Sequence, residues 1–298
     1  MLQKVTILIQ QNYINILQRL SDSLQEHAIE VAVVAVPVGH DNCDFAWTQP
    51  DAADCDAADK ETLYITDSES AYRELCRQGK YVLPYRHDGN RDMGFAGAPY
   101  VIEKIEEIGY ETVDMVYRRL AGLPWEIFTT KRCIVRETIE EDVDSFYRIY
   151  AEPEITKYME DLYADRDEEI AYIRNYREKV YGYYGYGMWT VLTRDGTIIG
   201  RAGINWREGF DMPELGFVIG VPWQRRGYAY EVCEAVLEYA HNELGFTQIQ
   251  ALVMEGNDKS ESLCNKLGFQ FVDKITIDNK AHARLVWQAE MPYCVFIN

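Results

Sequence analysis

The hydrophobic pattern of the first 130 residues alternates between short apolar runs and helical periods. Five runs have the length and the β-branched content of strands. They are residues 5–9, 31–36, 63–66, 81–85 and 100–102. Apolar positions at helical spacing over 12–26, 69–77 and 111–120 predict the intervening helices. Strands that alternate with helices predict a small doubly wound parallel sheet, interrupted by a long acidic loop from Gly39 to Lys60.

The remainder of the chain predicts a second α/β domain of a different order. The predicted strands are residues 133–136, 188–192, 197–200, 214–220, 247–253 and 284–290. The predicted helices are residues 140–150, 167–180, 227–244 and 258–267. Asp195-Gly196 indicates a hairpin turn between two of the strands. We therefore place a domain boundary near residue 130, with domains at 1–130 and 131–298.

Composition and charge exclude several classes of protein. With 47% hydrophobic and 27% charged residues and no long apolar run, we expect a cytoplasmic protein that does not enter a membrane. The net charge of −19 argues against a nucleic-acid partner and slightly favours an amine-bearing substrate. The seven cysteines and five histidines show no metal-ligand spacing, so we predict no metal site.

One stretch, ELGFVIGVPWQRRGYA at 214–229, combines a buried strand, a turn and a helix start. Pro222 ends the strand because it has no N–H to donate. The N–H groups at the helix start, with Arg225 and Arg226 beside them, form a site suited to an anion. The alternative is a tight turn that contains glycine and arginine for structural reasons alone.

The spacing Gln224-x-x-Gly227-x-Ala229 resembles the pyrophosphate-binding signature of the GCN5-related N-acetyltransferases (GNAT). The order of elements over residues of about 131–292 is similar to that fold. GFVIGVPWQRRGYAYE, the N-x-x-S motif at 257–260 and KLGF at 266–269 resemble the branch that acetylates N-terminal alanines of ribosomal proteins. The resemblance implies an acyl-CoA N-acyltransferase fold with a mixed central sheet, and acetyl-CoA as the acetyl donor.

The resemblance also implies roles for individual residues. Glu214 is the implied base, acting through water, and a solvated carboxylate at a strand end is its alternative. Ser260 is the implied proton donor, because Cys264 stands where many acetyltransferases have a tyrosine; Cys264 as an acetyl-carrying nucleophile is a minor alternative. Asn257 is implied to hold pantetheine, with a helix cap as its alternative. Cofactor binding is implied for Ile219, Gly220, Val221, Gln224, Arg225, Arg226, Gly227, Tyr228, Ala229, Tyr230, Asn257 and Cys264. The implied acceptor pocket consists of Tyr158, Met159, Tyr184 and Tyr186.

The run ITDSESAYRELCRQGKYVLPYRHDGN at 65–90 loosely resembles the C-terminal half of haloacid-dehalogenase-like phosphatases. The D-x-D-x-T nucleophile strand of that family is missing, and Asp41 and Asp44 have the wrong spacing. We interpret the first domain as a degenerate relative of that family or as an unrelated flavodoxin-like sheet. Asp67 is then a helix cap rather than a metal ligand, and we expect no phosphatase activity.

These features predict an acetyl-CoA-dependent N-acetyltransferase. The acceptor is a primary amine of a small molecule or of a peptide N-terminus, which attacks directly in a ternary complex. The alternative is a non-catalytic CoA-binding or sensing protein with a structural N-terminal domain. A fusion of phosphatase and acetyltransferase is disfavoured by the missing nucleophile motif. The identity of the acceptor and a homodimeric state stay open.

Overall fold

The computed structural model describes residues 1–36 and 58–289, and contacts divide the chain into two compact units, Met1–Trp125 and Glu126–Asn298. Most of the predicted acidic loop, with Asp41 and Asp44, lies outside the described residues. Its last residues are described and form a 3-10 turn over Ala58–Glu61. No helix in the described ranges is long and apolar enough to span a membrane.

The first unit contains the predicted parallel sheet, with strand order β2-β1-β3-β4. Its strands are β1 (Lys4–Gln10), β2 (Glu30–Val36), β3 (Thr62–Thr66) and β4 (Tyr81–Pro84). Its helices are α1 (Gln18–Glu26), α2 (Glu69–Arg77) and α3 (Tyr110–Leu120). The prediction of a strand at 100–102 is wrong, since only Ile102 forms an isolated bridge, with Tyr85. Pro99 has no N–H to extend that pairing, and the chain turns again at Lys104.

The second unit contains a mixed eight-stranded sheet with the order β11-β12-β10-β9-β8-β7-β6-β5. Its strands are β5 (Glu126–Thr129), β6 (Cys133–Arg136), β7 (Met188–Thr193), β8 (Ile198–Asn205), β9 (Glu214–Ile219), β10 (Gln248–Met254), β11 (Gln270–Ile277) and β12 (Lys280–Gln288). Its helices are α4 (Val143–Tyr150), α5 (Pro153–Thr156), α6 (Arg166–Tyr176), α7 (Gly182–Tyr184), α8 (Tyr228–Asn242) and α9 (Asp258–Lys266). The sequence did not predict β5 or β11.

Helices cover both faces of this sheet. On one face, α8 and α9 pack on a core that includes Trp189, Leu215 and Ile219. On the other face, α4 and α6 pack on a smaller core that includes Phe146 and Val218. Side chains therefore alternate between the two faces along β9, as the pleat of a strand requires.

Candidate active site

The eight-stranded sheet opens between β9 and β10. Strand β9 pairs with β8 along its whole length, from Gly200 opposite Ile219 to Asn205 opposite Glu214. It pairs with β10 at one position only, Glu214 opposite Gln250. Gly220 N–H donates to β8, so the N–H and C=O of Ile219 point the other way, towards the opening. An extended ligand can pair with that exposed strand edge.

The turn after β9 combines two residues of positive φ with an uncapped helix start. Arg225 and Gly227 both have positive φ, 56° and 82°, so their N–H groups turn towards one side. Helix α8 starts at Tyr228 with no side-chain cap, which leaves its first N–H groups without partners in the helix. The amide of Gln224 donates to Ile219 O at 2.9 Å and ties the turn back to the strand. The backbone at this helix start is therefore open for an anion.

Four cations surround this helix start in a chain of net charge −19. Arg132 lies 4.3 Å from the centre of the Tyr228 ring, and its Nη1 donates to Arg226 O at 2.9 Å. A methyl group on Gly227 would lie 3.3 Å from Arg132 Nη2. The four cations are Arg132, Arg225, Arg226 and Lys266, whose Nζ lies 4.1 Å from the Tyr230 ring.

Glu231, one turn into α8, fixes Arg132. Its Oε2 accepts from Arg132 Nε at 2.6 Å, and its Oε1 accepts from the Arg132 backbone N–H and from Thr130 Oγ1. These hydrogen bonds from Arg132 and Thr130 keep the pKa of Glu231 below its ordinary value, against the opposing effect of burial. Nothing in the local sequence around 224–229 indicates that Arg132 belongs to the site.

Glu214 lies at the closed end of the opening, where β9 and β10 pair. Its Oε2 accepts from Arg207 Nε at 2.8 Å, and its side chain is largely buried. Glu214 is thus a partnered carboxylate at the base of the opening rather than a solvated strand end.

Asn257, Ser260 and Cys264 lie at the start and on the buried side of α9. Asn257 caps the helix, since its side chain accepts from Ser260 N–H at 3.3 Å. Ser260 is half-buried. Cys264 is fully buried, and burial raises the pKa of its thiol to about 12. A thiol that is enclosed and protonated is poorly suited to contact a cofactor or to carry an acetyl group.

The four residues of the implied acceptor pocket form two groups. The hydroxyl of Tyr158 donates to Gly256 O at 2.7 Å, next to Asn257, and Met159 packs on the α4–α6 core. Tyr184 is exposed and its ring lies 5.9 Å from that of Tyr186, whose hydroxyl accepts a hydrogen bond from the Trp206 indole.

Part of the second unit is similar in sequence to a known protein family. Residues 132–270 match a family model described as "Acetyltransferase (GNAT) domain". Over these residues the second unit is similar to the GNAT acetyltransferases. The matched range includes β9, the turn at 220–227, α8 and α9. The protein is accordingly an acyltransferase.

Relatives of the second unit include two proteins whose names give only an N-acetyltransferase activity. The "Uncharacterized N-acetyltransferase YoaA" of Bacillus subtilis (strain 168) is 28% identical over 151 residues, which are 48% of this chain and 82% of the relative. The "Uncharacterized N-acetyltransferase p20" of Bacillus licheniformis is 25% identical over 163 residues, 54% of this chain and 92% of the relative. Among solved structures, an acetyltransferase from Agrobacterium tumefaciens str. C58 is 21% identical, with a TM-score of 0.47 and coverage of 54% of this chain and 94% of that chain.

The second unit contains further buried polar groups that the sequence pattern did not indicate. Arg201 on β8 and Glu169 on α6 are both buried, and each has a side-chain atom without a hydrogen-bond partner. Arg136 and Asp142 form a buried ion pair of 2.7 Å that joins β6 to the turn before α4. A charged residue within a short apolar strand leaves no periodic signal, so only the packing shows that these groups are buried.

Proposed function

We propose that the second unit binds acetyl-CoA and transfers its acetyl group to a primary amine. The open start of α8, with the surrounding cations, supports the binding of the pyrophosphate. The residues present fit this ligand, because Gly227 has no side chain to fill the concavity and no carboxylate caps the helix. The edge of β9 that faces the opening has no partner strand at Ile219, where only Gln224 contacts the carbonyl, and it suits the amide groups of pantetheine.

Each part of the site has one task in this proposal. The N–H groups of Tyr228, Ala229 and Tyr230 hold the pyrophosphate, and the backbone from Ile219 to Val221 orients pantetheine. Acetyl-CoA supplies an activated acetyl group. The amine nitrogen forms the new amide bond as the thioester bond breaks, the amine loses one proton and the thiolate gains one.

Proton transfer is assigned to Glu214 and Ser260. Glu214 would take the proton of the amine through water, and Arg207 holds its carboxylate in one orientation. Ser260 would return a proton to the thiolate, while Asn257 fixes the start of the helix that carries it.

The test measures binding and turnover separately. CoA and acetyl-CoA are expected to raise the melting temperature, as any ligand selective for the folded state does. Thiol release from acetyl-CoA is then followed over a panel of small amines and peptide N-termini. Binding without thiol release for any amine would favour the non-catalytic CoA-binding protein, and absence of binding would refute both functions.

A further inference from the structure

Arg201 is a buried cation on the strand next to β9. On β8 it lies opposite Val218, the residue before Ile219 on β9. Because adjacent strands are about 4.8 Å apart, its backbone is close to the part of β9 that faces the opening. The residue is 8% exposed, and its Nε has no hydrogen-bond partner. Its guanidinium lies 4.9 Å from the centre of the Phe146 ring, on the face covered by α4 and α6.

No carboxylate in residues 1–36 and 58–289 forms an ion pair with Arg201. A buried charge without a counter-ion is unfavourable, because the interior replaces the hydration of the ion poorly. A cation–π contact and a hydrogen bond with the Tyr150 phenol compensate only in part. Arg201 is therefore equipped to bind an anionic group that the described residues do not provide.

Tyrosine rings lead from the surface to Arg201. The ring of Tyr163, which is 50% exposed, lies 5.9 Å from that of Tyr172, and Tyr172 lies 5.8 Å from Tyr176. Burial raises the pKa of Tyr150, Tyr172 and Tyr176, while the charge of Arg201 lowers it. These phenols are therefore neutral hydrogen-bond donors and acceptors around a cation.

Glu169 on α6 adds an unpartnered acceptor to the same cluster. It is 2% exposed, its Oε2 accepts from Tyr163 N–H at 3.1 Å, and its Oε1 has no partner. The charges of Glu169 and Arg201 both act on Tyr150 and Tyr172. An unpaired N–H donor on β8 and an unpaired oxygen on α6 thus belong to the same side of the sheet, the one that α4 and α6 cover.

We propose that this cluster recognises the acetyl acceptor, and that the acceptor is a free amino acid. Its carboxylate would pair with Arg201, and an N–H of its ammonium or amine would donate to Glu169. A polyamine has no carboxylate, and a peptide N-terminus carries its carboxylate too far from the reacting nitrogen. This inference rests on the proposed function, because it names the acceptor for the same site.

Measurements on the unsubstituted protein test whether the acceptor is a free amino acid. Its kcat/KM is measured for free L-amino acids, for the corresponding amino-acid amides and for the decarboxylated amines, with acetyl-CoA held constant. The expected result is a preference for the free acid of about a hundredfold, because an unpaired buried cation rejects a neutral group. Equal values for acid and amide would overturn the inference and leave the acetyltransferase function standing.

Substitutions at Arg201 then test whether this residue causes the preference for the free amino acid over its amide. Arg201→Met is expected to lower kcat/KM for the free amino acid about a hundredfold and that for its amide less than threefold, while Arg201→Lys retains part of the preference. The Kd of CoA should stay within threefold in both. Arg166→Met, in an exposed ion pair with Asp144, is the control for loss of a positive charge.

Two further outcomes keep the tests of function and acceptor separate. If the parent binds CoA but releases no thiol from acetyl-CoA, calorimetry of free amino acids with the CoA-loaded parent replaces the rate, and absence of binding overturns the inference. If Arg201→Met lowers both rates equally with CoA affinity intact, Arg201 is structural and the inference fails. If the parent does not bind CoA at all, the proposed function itself is refuted.

Discussion

The turn after β3 in the first unit and the turn after β9 in the second both lead a buried strand into a helix, but they complete the helix start differently. At the first turn, Ser68 Oγ accepts from Ala71 N–H at 3.3 Å, so the chain caps its own helix. Asp67 points inward, where Oδ2 accepts from Gln10 N–H at 3.0 Å and from His87 Nε2 at 3.2 Å. At the second turn, Gly227 offers no cap and cations replace the carboxylate.

This difference shows that a helix start after a strand does not by itself bind an anion. A side-chain cap removes an N–H group from use by a ligand, and a nearby carboxylate opposes a second negative charge. The α8 start has no side-chain cap, and the carboxylate in its first turn, Glu231, is paired with Arg132, a cation from a distant part of the chain. Glycine at the cap and the sign of the neighbouring charges therefore distinguish the two turns.

The largest expected effect comes from closing the open turn. Gly227→Glu places a side chain at a φ of 82° and a negative charge where the pyrophosphate is proposed to bind. We expect CoA affinity to fall at least a hundredfold, which removes about 2.3 kcal/mol of the about 2.7 kcal/mol of stabilisation at a hundredfold excess over the parent Kd. Thermal shift with CoA measures the loss.

A matched control is available for the backbone strain of that substitution. Gly209 has a φ of 85°, and a methyl group on its Cα would meet no atom within 4 Å, so Gly209→Glu introduces the same strain and charge away from the turn. It should retain the CoA-dependent shift. An intact shift in Gly227→Glu would show that the turn after β9 does not hold the phosphates.

The second largest effect is expected at the other end of β9. Glu214→Gln should lower kcat about a hundredfold, the range typical of a lost general base, and leave the Kd of acetyl-CoA unchanged. Arg207→Gln is the control, because it removes the 2.8 Å ion pair but keeps the carboxylate. Equal losses in both variants would make Glu214 a structural partner of Arg207.

Local signals predicted the parts of each turn that depend on neighbouring residues. Helix α2 has the predicted bounds, 69–77, because caps and a left-handed glycine act within a few residues. The prediction that Asp67 caps this helix is wrong, since Ser68 is the cap and the Asp67 carboxylate points inward to Gln10 and His87. The strand, turn and helix start around Gln224 and Gly227 were predicted for the same reason, and the binding of phosphate by this turn stays a prediction.

The residues that the sequence missed act across long separations. Arg132 is 94 residues from the Arg226 carbonyl that accepts its hydrogen bond, and only the sheet brings them together. Arg201 and Glu169 come from a strand and a helix whose packing decides which charges stay unpaired. A periodic pattern predicts which face is buried, but it carries no information on partners of this kind.

A smaller effect is expected from Arg132→Gln. The substitution removes a cation beside the anion site and the hydrogen bond to Arg226 O, so CoA affinity should fall about tenfold, or about 1.4 kcal/mol. Calorimetry at two salt concentrations separates the loss of the cation from the loss of the hydrogen bond. Only the loss of a cation that pairs with phosphate weakens the salt dependence of the Kd of CoA. Glu231→Gln, which frees Arg132 without removing it, is the comparison variant. An unchanged Kd for Arg132→Gln would exclude Arg132 from the site.

The smallest effect is expected at the closed turn of the first unit, at Asp67. Burial raises the pKa of Asp67 above its ordinary value, against the hydrogen bonds from Gln10 and His87. The folded state therefore binds this proton more tightly than the unfolded state, so stability falls as the pH rises from the ordinary value, about 3.9, through the folded pKa. Above the folded pKa, Asp67 is ionised in the folded state, and the cost of burying its carboxylate lowers the free energy of unfolding in full.

Asp67→Asn cannot ionise, so it should remove this fall in stability with rising pH. Hydrogen exchange of the β1 and β3 amides between pH 4 and 7, corrected for the intrinsic exchange rate, measures the stability of the sheet around Asp67 as a function of pH. The protection of these amides should decrease less steeply with pH than in the parent, and Asp22→Asn on the exposed side of α1 should behave like the parent. The CoA-dependent thermal shift should be unchanged, because Asp67 belongs to the first unit and the anion site to the second. A pH dependence identical to that of the parent would mean that Asp67 has the same proton affinity folded and unfolded, and that the closed turn accommodates its carboxylate without penalty.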